Sequence, residues 1–254
     1  MTGAPHESLP QPLPPAGDAV PAGTVPGGAA HPALAVVRAP AQVTSAVLVL
    51  HGGRAVDPSP ARARHLASLR MRPFLRALAR GLPPDGVLLG RVRYRRRGWN
   101  EDAADPLRDT LAALDELVRR HGHDVRVVLV GHSMGGRAAL RAAGHPAVHA
   151  VVALAPWCPP GEPVRQLAGV KVLFAHGDQD RVTDPAASLG MALKARADGG
   201  ETAALVLDGA GHAMLARASV WHRTTTGTVR GLLGLAPLPD VVRAAFGAPA
   251  ALHL

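Results

Sequence analysis

Cysteine is almost missing from this chain of 254 residues: Cys158 stands alone. A single thiol excludes an internal disulfide framework and any zinc site built from several cysteines. Lysine is nearly as scarce, with only Lys171 and Lys194, so the formal net charge of +9 rests on arginine. An arginine-heavy, alanine-rich composition follows from GC-rich coding alone. The charge by itself therefore reads as a solvated basic surface, and an anion site needs local evidence. The arginines are not interleaved with aromatic residues, and no nucleic-acid-binding motif accompanies them, so no nucleic-acid partner is expected. No apolar run reaches the length of a membrane span, and no membrane partner is expected. The start, Met1-Thr2-Gly3-Ala4-Pro5-His6-Glu7, has neither a basic nor an apolar leader region. The expected location is the cytoplasm. No internal repeat is present.

What remains is the composition of one α/β domain with a sizeable core. Residues 1–32 are rich in Pro, Gly and Ala and nearly empty of large apolar side chains. They cannot repay the entropy of ordering and read as a disordered or loosely attached arm. Residues 33–246 read as the domain and 247–254 as a tail. Leu34–Val37 is a first edge strand, and Ala46–Leu50 is a central strand ending in His51-Gly52-Gly53-Arg54. Residues 54–72 show no clean period and read as a long loop, the kind that often carries function. Pro73 opens a helix to about Arg80. Val87–Val92 is a strand leading into Arg93-Tyr94-Arg95-Arg96-Arg97. Asp105 and Pro106 read as N-cap and first residue of a helix with a Leu107, Leu111, Leu114, Val118 stripe. Further strands fall at Val127–Val130, Val148–Leu154, Val170–Phe174 and Ala203–Leu207, the last of them. Strands alternating with helices give a mostly parallel sheet covered on both faces, with the ligand site at the carboxyl ends of the strands.

The informative stretch is Val127-Val128-Leu129-Val130-Gly131-His132-Ser133-Met134-Gly135-Gly136. A buried strand runs into Gly-His-Ser-Met-Gly, and small residues then start a thin helix. A serine between such elements sits on a very tight turn, where Gly131 and Gly135 lack the Cβ atoms that would collide. The turn lifts the Ser133 oxygen above the sheet and sets the free N–H groups of a helix start beside it. That is a nucleophile elbow.

An activated serine needs a base, and the base needs a carboxylate. His212, after the last strand in Gly209-Ala210-Gly211-His212, is the best base among thirteen histidines. His51, His132 and His176 also stand at strand ends and read as packing or loop-anchoring residues. His121-Gly122-His123 reads as a helix end rather than a metal pair. Asp178, Asp180 and Asp184 are the choices for the acid; Asp184, before Pro185, reads as an N-cap, and Asp180, projecting from the loop tip, is favoured. The oxyanion hole needs two backbone donors. Met134 N–H is one, and Gly53 N–H is the first choice for the other, ahead of Arg54.

With these residues in order, the sequence resembles the α/β-hydrolase family in its capless, dienelactone-hydrolase-like form, over roughly residues 35–235. The resemblance rests on His51-Gly52-Gly53, Gly131-His132-Ser133-Met134-Gly135-Gly136, His176-Gly177-Asp178-Gln179-Asp180 and Gly211-His212. The family pattern places the acid four residues after the histidine of the His-Gly pair, at Asp180. Its proline usually falls one residue earlier than Pro185, so this loop is slightly altered. The resemblance implies hydrolysis of a carboxylic ester, thioester or lactone through an acyl-serine, with no cofactor and no metal. The alternative is a non-catalytic ligand-binding protein on the same scaffold.

Trp157 to Val170 leaves no room for a cap domain, so the expected site is open. Trp99, Trp157 and the 54–72 loop are its expected walls. Arg93, Arg95, Arg96 and Arg97 lie past one strand end, and Arg54, Arg62, Arg64, Arg70 and Arg72 lie in the loop beside it. Of these, Arg54 and Arg95 are read as substrate-binding residues, which would favour an anionic ester.

Overall fold

The computed structural model describes residues 33–254; the expected arm, 1–32, lies outside them. Eight strands form one sheet: β1 (Leu34–Arg38), β2 (Val43–Leu50), β3 (Gly86–Val92), β4 (Arg126–His132), β5 (Val148–Leu154), β6 (Lys171–Gly177), β7 (Glu201–Leu207) and β8 (Leu252–His253), in the order β1-β3-β2-β4-β5-β6-β7-β8. Only β1 runs antiparallel, against β3. The other neighbours are parallel, as strand–helix alternation requires.

The strands carry apolar residues at consecutive positions because both faces are covered. Leu48, Leu129 and Val151 belong to one core, and Val47, Val128 and Val152 to the other. Seven helices supply the covers: α1 (Leu66–Arg70), α2 (Arg72–Gly81), α3 (Asp105–His121), α4 (Met134–Arg141), α5 (Pro185–Ala197), α6 (Ala218–Leu232) and α7 (Asp240–Gly247). Leu114 of α3, Ala138 of α4 and Met191 of α5 pack on the first face. Phe74 of α2, Trp221 of α6 and Val242 of α7 pack on the second. Between β5 and β6 runs a short connection with one turn of 3-10 helix at Arg165–Leu167, and no cap is present among the described residues. No described helix is long and apolar enough to cross a membrane.

Several expectations change. The supposed tail after Gly247 contains β8, which pairs with β7: Leu254 N–H donates to Val206 O at 2.9 Å, and Asp208 N–H donates to Leu254 O at 3.1 Å. The long loop 54–72 holds α1 and is pinned by Arg54 N–H to Arg97 O at 3.1 Å and Ala61 N–H to Arg95 O at 3.0 Å. Asp105 is the first residue of α3 and not its cap, which is Ala104 at φ 43°, ψ 44°. Its carboxylate faces the other way, taking Asn100 Nδ2 at 2.8 Å and Arg95 Nη2 at 3.5 Å.

Candidate active site

Ser133 stands between β4 and α4 at φ 55°, ψ −120°, a region that L side chains rarely occupy. Its backbone is held there: Ser133 N–H donates to Leu154 O at 3.0 Å, and Ser133 O accepts from Trp157 N–H at 3.1 Å. A Cβ on Gly131 would sit 2.3 Å from Gly135 O, and one on Gly135 would sit 2.6 Å from both His51 O and Leu50 O. Gly131 thus lets the turn close on itself, while Gly135 lets α4 approach the end of β2. The approach brings the His51-Gly52-Gly53 loop against the serine. A Cβ on Gly52 would lie 3.3 Å from Ser133 Cβ, and one on Gly53 would overlap the Met134 side chain.

His212 follows β7 and turns back over the sheet. Its Nε2 is 3.1 Å from Ser133 Oγ, and its Nδ1–H donates to Asp180 Oδ2 at 2.8 Å. Asp180 does not project from the loop tip. Its side chain is wholly buried and accepts five donors: Val182 N–H and Thr183 N–H on Oδ1, and His212 Nδ1, Thr183 Oγ1 and His176 Nε2 on Oδ2. Burial pushes the Asp180 pKa up, but the Thr183 and Val182 amides and His212 outweigh it and hold the carboxyl at about 2. Asp178 stays exposed beside Gln179, and Asp184 caps α5 by accepting Ala186 N–H at 2.9 Å. Of the three carboxylates, Asp180 alone touches His212.

Three residues without an expected role at the site contact these groups. Thr183 Oγ1 lies 2.9 Å from Asp180 Oδ2 and 3.1 Å from His212 Nδ1, bracing both. The Asp-x-x-Thr spacing before Asp184-Pro185 was the available signal, since a hydroxyl three residues on can reach back to a carboxylate. His176, read as a packing residue, donates Nε2–H to Asp180 at 3.0 Å and accepts at Nδ1 from Ser188 Oγ at 2.8 Å. His132 lies with its ring centroid 4.7 Å from that of His212 and donates Nε2–H to the His212 carbonyl at 3.0 Å. Burial first, and His212 second, push its pKa down to about 3, so His132 is neutral beside His212.

The Met134 side chain lies against Gly53, where a Cβ would sit 2.3 Å from Met134 Cε. Met134 N–H opens α4 and has no partner within the helix. Among the described residues, no backbone bond outside the regular elements uses the N–H of Gly53 or Met134. The expected walls divide. Trp157 lines a cleft of about 550 Å³ with Pro159, Val182, Thr183, Ala187 and Met191, largely apolar and touching the site through Thr183. Trp99 is no wall: it is 3% exposed and belongs to the core. The Arg137 guanidinium lies 3.9 Å above the Trp99 ring and 4.5 Å from the Trp157 ring, and its Nε donates to Glu162 at 2.7 Å.

The basic residues divide too. Arg95 Nε donates to buried Asp109 at 2.5 Å and Nη2 pairs with Asp105, so it fastens the segment after β3 to α3 and is not free for substrate. Arg54 is exposed, beside a second cleft of about 450 Å³ lined by Gly52 and Gly53, with Nε 3.8 Å from Asp57. Among the described residues no group of three or more metal-ligating side chains is present.

A strained serine within reach of a carboxylate-braced imidazole, next to free helix N–H groups, can attack a carbonyl and stabilise the oxyanion formed. The alpha/beta hydrolase family model matches residues 46–241. Solved structures share the fold. A putative alpha/beta hydrolase of unknown function from Agrobacterium tumefaciens aligns with TM-score 0.63 at 17% identity, covering 82% of this chain and 94% of that one. A serine hydrolase without a lid from Xanthomonas campestris aligns with TM-score 0.54 at 20% identity, covering 82% and 90%. A hyperthermophilic esterase from Pyrobaculum calidifontis aligns with TM-score 0.58 at 15% identity, covering 80% and 79%. No curated protein sequence matches this chain.

Proposed function

From the premise that this chain belongs to the alpha/beta hydrolase family, we propose that it is a serine hydrolase that cleaves a small-molecule carboxylic ester, or a related thioester or lactone, through an acyl-Ser133 intermediate. One observation carries the reading: the unbroken contact from Ser133 Oγ through His212 to Asp180, at 3.1 and 2.8 Å. His212 Nε2 takes the hydroxyl proton as Oγ adds to the carbonyl carbon. The oxygen that becomes negative turns toward the Met134 and Gly53 N–H groups. Collapse of the adduct expels the alcohol or thiol, which leaves with the proton from His212. A water activated by the same nitrogen then releases the acid and restores Ser133. Asp180 remains ionised throughout, holding the Nδ1–H tautomer and offsetting the imidazolium charge. The apolar cleft beside Trp157 suits a hydrocarbon part of the substrate.

A fluorophosphonate probe tests the reading. Wild-type protein is expected to be labelled at Ser133 and to hydrolyse activated short-chain esters; Ser133→Ala is expected to do neither. A wild-type protein that resists the probe and cleaves no ester would favour a ligand-binding role for the same scaffold.

A further inference from the structure

The second cleft does not end at the oxyanion loop. Two further cavities, of about 490 and 210 Å³, share the half-buried ring of His51 with it as lining. No carboxylate lines any of them. Arg62, Arg91 and Arg93 border the larger neighbour, and Arg64 borders the cleft at Gly52 and Gly53. Of the other arginines here, Arg95 is engaged with Asp109, Arg96 with Pro58 O at 2.8 Å and Arg97 with Asp57 at 3.3 Å, while Arg72, at the smallest of the three cavities, is unpaired among the described residues like the first four. Among the described residues, Arg62, Arg64, Arg91 and Arg93 have no ion pair and no side-chain hydrogen bond. Composition accounts for the number of arginines but not for their gathering, with no carboxylate in the lining, around cavities that share His51. Guanidinium groups gathered in a concave site repel one another and focus a positive potential into it. Their planar forks match phosphate oxygens. Burial first, then Arg97, Arg62 and Arg64, lower the pKa of His65 in the same 54–72 segment.

We propose that Arg62, Arg64, Arg91 and Arg93 form a phosphate-binding subsite continuous with the oxyanion loop, so that the substrate is a phosphorylated ester or thioester. This rests on the hydrolase reading and names the substrate class for that site. The neutral end of the substrate lies at Ser133, and its phosphate occupies the cavity beyond His51.

The test compares 1-butyrylglycerol 3-phosphate with 1-butyrylglycerol, and measures inhibition of 4-nitrophenyl butyrate hydrolysis by pyrophosphate at fixed ionic strength. Wild-type protein is expected to favour the phosphorylated ester by about tenfold or more in kcat/KM, falling as salt rises, with pyrophosphate competing. In Arg62→Gln/Arg91→Gln/Arg93→Gln the ratio is expected to collapse toward one and the competition to weaken at least tenfold. Arg93→Gln alone, at an exposed position, is expected to fall between and guards against misfolding of the triple variant. Arg119→Gln/Arg223→Gln/Arg230→Gln removes the same charge from exposed helix positions and is expected to match wild type, separating a built subsite from net charge. Neutral-ester hydrolysis with equal rates on the pair and no competition would overturn the subsite alone. Competition that persists at full strength in the triple variant would overturn it too. No ester hydrolysis and no labelling of Ser133 would overturn the hydrolase reading first.

Discussion

Asp180 and the cleft around His51 hold charge in opposite ways. The carboxylate is sealed from water with five donors on its two oxygens. The cleft holds four cations near the surface with no acceptor from the protein. A charge satisfied in advance is machinery: its partners fix it before any ligand arrives, and burial would make it prohibitive otherwise. A charge left unsatisfied beside a cavity has its partner still to come. Changes around Asp180 should therefore act on every substrate alike, while changes in the cleft should act by substrate class.

The largest effects belong to the sealed side. Ser133→Ala and His212→Ala are each expected to lower kcat by roughly four to six orders of magnitude, because members of such a set act as a unit. Turnover of a neutral ester by purified variants checks this, and most of the rate surviving in either would remove that residue from the mechanism. Next comes the acid. Asp180→Asn is expected to lower kcat by up to about 10⁴-fold through the wrong histidine tautomer, against small changes for Asp178→Asn and Asp184→Asn. The same carboxylate carries a pH signature. Its folded pKa, about 2, lies below the ordinary 3.8, so its stabilisation is complete above about pH 4 and is lost as pH falls through about 2. The melting-temperature gap between wild type and Asp180→Asn should therefore narrow steadily below pH 4.

His176→Phe removes one of the five donors and is expected to lower kcat/KM about three- to tenfold for neutral and phosphorylated esters alike. His176→Gln, which can still present a donor to Asp180, should recover most of the loss. A change confined to one substrate class would erase the division drawn here. The smallest effect is expected at Arg95→Gln, which should lower the melting temperature by a few degrees through the lost link to Asp109, given its half-exposed position. The phosphate preference should not move, since Arg95 faces α3 and not the cleft.

What the sequence disclosed follows from where the determinants lie. That Ser133, His212 and Asp180 come within contact of one another is prepared by strand ends and glycine turns, which are local features. The parallel sheet follows from strand–helix alternation in the same way. The structural role of Arg95 is not legible in the sequence because its partners, Asp105 and Asp109, approach it only when α3 packs on the sheet. Trp99 and Trp157 are equivalent as residue types, and that one is core while the other borders a cleft is decided by tertiary packing. β8 is two residues long, too short for an alternation pattern, and exists because β7 offers it an edge. Thr183 and His176 gain their roles from Asp180 turning inward, a tertiary event that its exposed-looking loop does not announce.

The stacking of Arg137 between Trp99 and Trp157 also defines where this scaffold can be extended. Like a rivet, it fixes the start of the β5–β6 connection while leaving the outer bend, Pro160-Gly161, unengaged: Gly161 has φ 82° and open space where a Cβ would be. A lid module spliced in at that bend would enter between Trp157 and Glu162, the two residues of this connection that hold Arg137, and leave the backbone contact of Trp157 with the turn at Ser133 in place. The same module spliced at Pro156 would unseat Trp157 and the hydrogen bond it donates to Ser133 O. For an engineer wishing to gate this open site, the permissive junction and the forbidden one are four residues apart.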